Sequence, residues 1–191
     1  GSPNSEDLKN FCGAAAAAGS VALMHIVGVT PEAPGREAAF GGNKPEEIIE
    51  VTEEDIRNTR KAMCSNTTDK VDFVALGCPH YTINEIVKVH KLLAGRKINP
   101  NTAFWIYANS YALRLAEKMG IRQDLEKLGV VIRAETCMII SPVKDWGFKT
   151  MMTDSGKCSY YGPAECGTEM IFASVEECVE SAVSGKFQIL K

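Results

Sequence analysis

The chain has 191 residues, a formal charge of −3, 45% hydrophobic residues and 24% charged ones. That composition suits one domain with a full core, or one domain plus an extension. It carries no basic cluster that would read as a nucleic-acid footprint, and no apolar run near the ~20 residues needed to span a bilayer. Seven cysteines is an odd number, and with no secretory signal in view a reducing, cytoplasmic setting is expected rather than a disulfide framework.

The opening Gly1-Ser2-Pro3-Asn4-Ser5 reads as a tag remnant, which leaves residues 6–191 as a single α/β domain. Residues 6–18 predict a helix ending at Gly19, rich in alanine. Residues 21–29 form a continuous apolar run of the kind that makes a strand buried on both faces. Two prolines and a glycine make 30–35 a loop, and the chain stays irregular to Pro45. A short strand is expected over 48–51. A capping box from Thr52 to Asp55 then opens a helix to about Met63. A strand over 71–76 leads to Cys78-Pro79-His80, expected as a turn, and a Thr82–Glu85 box opens a helix to Leu93. Strand 103–107, helix 110–119, helix 123–128 and strand 130–134 follow, with glycines at the helix ends. Lys149–Thr153 and Glu169–Ala173 read as strands, and a Ser174–Glu177 box opens a last helix to about Val183. Strands and helices alternate at βα spacing. The expected fold is therefore a three-layer α/β domain with a mostly parallel sheet flanked by helices.

Three cysteines, Cys78, Cys137 and Cys158, each sit just past a predicted strand. Strand ends of an open α/β sheet converge on one crevice. Three thiols delivered there point to a shared metal centre, and three sulfurs leave one position of an iron–sulfur cluster free for substrate. The plain alternative is packing, because free cysteine is among the most buried residue types. Cys12, Cys64 and Cys178 are assigned to packing in helix-like segments, Cys166 stays undecided in a loop, and the absence of a CxxC pair argues against a zinc ribbon. His80, before a capped helix, is either an exposed turn residue or a partner of substrate or cluster sulfur. Asp154-Ser155-Gly156-Lys157 is not a P-loop, because Met151 stands where that motif requires glycine. It reads instead as a glycine turn whose hydroxyls, Thr153 and Ser155, and cation, Lys157, could hold a carboxylate or phosphate, with Tyr160 and Tyr161 walling the same pocket. On this reading His80, Ser155 and Lys157 are the catalytic candidates, and Thr153, Ser155 and Lys157 contact substrate.

The stretches His25-Ile26-Val27-Gly28-Val29-Thr30-Pro31-Glu32-Ala33, Leu76-Gly77-Cys78-Pro79-His80, Glu135-Thr136-Cys137 and Thr153-Asp154-Ser155-Gly156-Lys157-Cys158-Ser159-Tyr160-Tyr161 resemble the aconitase X family, in order and spacing, over nearly the whole chain. The resemblance implies an aconitase-like fold and an iron–sulfur hydro-lyase. Bacterial members dehydrate cis-3-hydroxy-L-proline, and archaeal members dehydrate phosphomevalonate. It also implies that this chain is the C-terminal portion of a large subunit about twice as long, working with a small swivelling subunit or domain. Cys78, Cys137 and Cys158 take the ligand positions, with Cys166 as the fallback for the third. An isolated domain of this kind is expected to lose its cluster to oxygen. Two other classes remain open. One is a metal-free domain that only docks a partner subunit. The other is a thiol enzyme built on Cys78 and His80, which leaves Cys137 and Cys158 unexplained.

Overall fold

A computed structural model describes residues 2–189. Five strands, β1 (Phe73–Tyr81), β2 (Ala103–Ala108), β3 (Val130–Ala134), β4 (Thr150–Thr153) and β5 (Glu169–Phe172), form one sheet in the order β3-β2-β1-β4-β5, parallel throughout. Eight helices accompany it among the described residues: α1 (Ser5–Gly19), α2 (Arg36–Phe40), α3 (Glu53–Ala62), α4 (Ile83–Leu93), α5 (Ser110–Lys118), α6 (Ile121–Lys127), α7 (Gly156–Glu165) and α8 (Val175–Ser184). None is long and apolar enough to cross a membrane.

Side chains alternate across the sheet, as a pleated backbone requires. Val74, Leu76, Phe104, Ile106, Val130, Ile132, Met152 and Ile171 point into a core shared with α4, α5, α6 and α8. Phe73, Ala75, Tyr107, Met151 and Met170 point the other way, into a core closed by α7 and by the connection from β3 to β4 with its Met138 and Val143. Aromatic rings extend that second core. Phe73 stacks on Phe148 at 4.7 Å, and Trp105 meets Trp146 at 4.9 Å. Arg133 lies 4.6 Å over the Trp105 ring.

The three expected capping boxes form, at Thr52, Thr82 and Ser174, and Asn4 makes a fourth at the start of α1. The structure departs from the sequence reading in five places. Residues 21–29 and 48–51 are not strands: they run irregularly over the surface, with Leu23 78% and Ile48 84% exposed. These apolar runs pair with no strand among the described residues. Cys78-Pro79-His80 is not a turn after β1 but its final stretch, with a cis bond between Cys78 and Pro79. Residues 156–165, expected as turn and loop, form α7. The intrinsic preference of α7 is poor, with Gly156, Gly162 and Pro163 inside it, so packing must hold it. A Cβ on Gly162 would stand 2.8 Å from the Met170 methyl carbon on β5, and α1 covers α7 from outside. Finally, α2 falls in a stretch expected to be irregular.

Candidate functional site

The strand order has a topological switch. From β1 the chain moves outward through β2 and β3, then returns to the opposite side of β1 with β4. Ligands of open parallel sheets bind beyond the carboxyl ends of the strands at such a point. The residues singled out by sequence gather at those ends. Cys78 lies near the end of β1, Cys137 follows the end of β3, and Thr153 to Cys158 run from the end of β4 into the first turn of α7.

Strict alternation along β1 would send Cys78 to the same face as Val74 and Leu76. It sits instead in the opposite core, with Phe73 and Ala75. The cause is local. Gly77 has φ +100°, and the register slips, with Leu76 opposite Ile106 but Tyr81 already opposite Ala108. The extra residues on β1 bulge and turn Cys78 toward α7. A Cβ at Gly77 would overlap the Tyr107 carbonyl oxygen and stand 2.9 Å from its carbonyl carbon, so only glycine lets β1 pass β2 this closely.

Cys78 and Cys158 are buried in one core with Cys137 packed against it, and the Cys78 thiol feels both of the other sulfurs. The Cys137 donor favours a Cys78 thiolate, but contact with Cys158 and burial outweigh it and hold the Cys78 pKa at about 11. Cys137 is pushed up first by its bond to Cys78 and then by burial. The backbone amides of Ile139 and Ile140 work against that rise. They form the kind of amide concavity that favours an anion. Cys166 lies in the same core, lifted to about 11 by burial, but its sulfur donates to the Met138 carbonyl oxygen at 3.6 Å. The Cys166 sulfur is thus engaged with the Met138 backbone, whereas the Cys158 backbone is tied to that of Cys78 through Ser155.

Ser155 is buried and ties two of these cysteines together. Its hydroxyl donates to the Cys78 carbonyl oxygen and accepts the Cys158 N–H at 3.0 Å, which starts α7. Thr153, also buried, accepts the Ser155 N–H at 3.3 Å. Both hydroxyls thus face protein groups. Lys157, half-buried in the first turn of α7, makes no ion pair among the described residues. The His80 ring donates from Nε2 to the Thr136 carbonyl oxygen at 2.6 Å, since a carbonyl only accepts; this pins the segment carrying Cys137 to the end of β1. Tyr161 is half-buried and Tyr160 mostly exposed, both on α7.

Two polar groups at these strand ends were not singled out from sequence. Asp154 accepts the Tyr81 hydroxyl, and burial lifts its pKa to about 6. The pair lines a cavity of about 530 Å³ with Arg60, Lys88 and Glu176, on the side of α4 and α8. The other is Tyr107, fully buried in the thiol core, whose hydroxyl finds no hydrogen-bond partner among the described residues. A phenol inside an otherwise apolar strand was the one sequence signal available for it.

Two families match the chain: "Aconitase X third domain" over residues 71–184 and "Aconitase X second domain" over residues 1–61. Among curated proteins the chain is similar to a cis-3-hydroxy-L-proline dehydratase of Pseudomonas aeruginosa, 34% identical over 96% of this chain and 32% of that protein. It is also similar to the phosphomevalonate dehydratase large subunit of Methanocaldococcus jannaschii, 33% identical over 93% of this chain and 43% of that one. The fold matches the crystal structure of Thermococcus kodakaraensis aconitase X in its holo form, with a TM-score of 0.83 and 29% identity, over 94% of this chain and 44% of that one. The chain thus spans from about a third to just under a half of the length of these relatives. With its parallel sheet, its thiols at the switch point and a third-domain match over more than half its length, the chain belongs to the aconitase X family.

Proposed function

We propose that this chain is the portion of an aconitase X hydro-lyase that holds an iron–sulfur cluster through Cys78, Cys137 and Cys158 and helps dehydrate a small hydroxy acid. The observation that carries the reading is the gathering of the three thiols in one core at the switch point. The donor set fits such a group: thiolates are the ligands that select iron–sulfur clusters. Among the described residues no three His, Cys, Asp or Glu side chains form a site for a single metal ion. A cluster shares its ligands among several irons, so it asks for thiols around a space rather than on one point. When bound, a cluster with one iron free of protein ligands supplies a Lewis acid for loss of a substrate hydroxyl.

The chain's own residues prepare that site. Cysteine binds iron as the thiolate, so each ligand gives up its proton on binding. The Ile139 and Ile140 amides await the charge on Cys137. Ser155 fixes the spacing of Cys78 and Cys158 through their backbones, with Thr153 behind it, and His80 fixes Cys137. Lys157 supplies a cation for a carboxylate or phosphate oxygen of the substrate. A base supplied partly by the rest of the enzyme takes the α-proton. The relatives' names give cis-3-hydroxy-L-proline and phosphomevalonate as the two substrate candidates. The remainder of a large subunit and a small swivelling subunit are the proposed partners, in the cytoplasm. In support of a missing partner, Leu23, Ile48, Ile49 and Val51 stand 69–84% exposed on irregular segments that read as buried strands.

Anaerobic reconstitution with iron and sulfide tests the reading. The chain should turn brown with broad visible absorption, Cys78→Ala, Cys137→Ala and Cys158→Ala should each lose the colour, and Cys166→Ala should keep it. The exposed apolar segments favour one rival, a metal-free docking domain; a colourless wild-type chain would establish it.

A further inference from the structure

The segment that carries Cys78 leaves the regular register. β1 is aligned with β2 from Phe73 to Leu76 and again only at Tyr81. Between those points side chains take hold of the backbone. Ser155 donates to the Cys78 carbonyl oxygen, and the His80 ring donates to that of Thr136, beside Cys137. A third hold comes from outside the sheet. Lys9, on α1, donates from Nζ to the His80 carbonyl oxygen at 2.9 Å. The same ammonium pairs with Glu85, whose carboxylate also accepts the Thr82 N–H at 2.8 Å in the capping box of α4. The Lys9 and Glu85 side chains are only 24% and 12% exposed. A lysine that sheltered is held by its partners, because burying an ammonium without them is costly.

Further contacts set α1 on the same spot. A Cβ on Gly13 would stand 3.1 Å from the Pro79 Cγ, and one on Gly156 would stand 3.0 Å from the Ala14 Cβ. Glu6 accepts the Thr82 hydroxyl at 3.2 Å and the Asn84 amide at 3.1 Å. None of the residues of α1 is itself buried, so the helix is laid over the site rather than built into a core. It belongs to the stretch that matches the second aconitase X domain, whereas the three cysteines belong to the stretch that matches the third.

We infer that Lys9 is a positioning residue for the thiol site: its bond to the His80 carbonyl oxygen, braced by Glu85, lets the second-domain helix α1 hold Cys78 in place. The placement of Cys78 stands on these contacts alone, and its bearing on iron rests on the cluster reading above. Without the ammonium, the His80 carbonyl loses this donor and the end of β1 opens more often.

Lys9→Met keeps an apolar stem of similar length and removes the ammonium. In the metal-free chain, alkylation of each cysteine by iodoacetamide is followed by peptide mass spectrometry. Cys78 should react roughly tenfold faster in the variant, since a charged hydrogen bond no longer closes the segment. Cys178, fully buried on α8, should keep its wild-type rate. Equal acceleration of both cysteines would make Lys9 a support for the fold as a whole and overturn the inference, as would an unchanged Cys78 rate. Glu85→Gln keeps the capping box and removes only the charge that braces Lys9. Its effect on Cys78 should therefore be smaller, roughly twofold to threefold. An effect equal to that of Lys9→Met would show that the ion pair, not the carbonyl bond, is the hold, and would also overturn it. Reconstituted anaerobically with iron and sulfide, Lys9→Met should take up iron but lose it to a chelator roughly tenfold faster than the wild type. A wild-type chain that takes up no iron would overturn the cluster reading and leave the alkylation rates to decide the role of Lys9.

Discussion

Substituting Gly77 by alanine tests how the site is assembled. Two separable penalties act there. Gly77 has φ +100°, a conformation that L-residues adopt at a cost of about 1–2 kcal/mol. The new Cβ would also overlap the Tyr107 carbonyl oxygen, at 2.9 Å from its carbonyl carbon and 3.1 Å from its nitrogen. These are backbone atoms of a central, paired strand, so no side chain can rotate out of the way, and β1 must part from β2. Forced overpacking of this kind typically costs a further ~1–3 kcal/mol. The sum, about 2–5 kcal/mol, is a large share of the ~5–15 kcal/mol that stabilises a domain. Gly95 supplies the control. Its φ is +79°, and a Cβ there meets nothing within 4 Å, so Gly95→Ala should lose only the conformational part, ~1–2 kcal/mol. Urea titration gives both numbers, and an unchanged m-value shows that the denatured state is comparable. The difference between the two variants isolates the clash. If they fall within ~0.5 kcal/mol of each other, β1 and β2 are not held together at Tyr107, and the account of how Cys78 is turned toward α7 fails with it. Iron uptake should follow the same order, with Gly77→Ala impaired and Gly95→Ala normal.

Asp154 gives a pH signature. Burial raises its pKa from an ordinary 3.8 to about 6, so the folded chain holds this proton more tightly than the unfolded one. Its contribution is therefore neutral below about pH 4 and grows more unfavourable as pH rises to about 6. Asp154→Asn, which cannot ionise, should gain on the order of 2 kcal/mol over the wild type at pH 8 and nothing at pH 3.5; the ~3 kcal/mol of a wholly buried group is reduced because the residue lines an open cavity. A pH-independent difference in melting temperature would contradict this. For Lys157, Lys157→Ala in the complete enzyme should lower kcat/KM by roughly tenfold to a hundredfold with iron content intact, whereas Cys158→Ala should lose iron. Equal loss of iron in both would make Lys157 a support for the fold.

What was legible in the sequence was legible because it is local. Capping boxes at Thr52, Thr82 and Ser174 are decided within four residues, and each forms. The strands of the sheet announced themselves as short apolar runs between turn residues, and their alternation with helices sufficed for a parallel sheet. Helix α7 was not legible, because its helical state comes from contacts with Met170, α1 and the Ser155 cap rather than from its own glycines and proline. The runs at 21–29 and 48–51 failed in the opposite direction. They carry the apolar pattern of buried strands and lie exposed. A pattern written for burial and left in solvent fits a sequence that meets its partner outside these residues. That is consistent with a chain covering 44% of the solved aconitase X chain it resembles.

The same contrast applies within the site. That Cys78, Cys137 and Cys158 follow strands could be read from sequence, and parallel topology then brings strand ends together regardless of detail. Which face each thiol takes could not be read this way. Counting by twos along β1 sends Cys78 into the core of α4 and α8, away from Cys158. The bulge after Gly77 reverses that, and the bulge exists because a glycine without a Cβ fits against the Tyr107 backbone. The residue that permits the turn and the residue it presses on are thus both part of the thiol site, one as the hinge for Cys78 and the other as the backbone that β1 must pass. Neither carries chemistry that a search for ligands or nucleophiles would detect. A site of this kind is recognised from its cysteines but is built by the close approach of two backbones at Gly77 and Tyr107, so blocking that approach should turn Cys78 away while every cysteine stays in the chain.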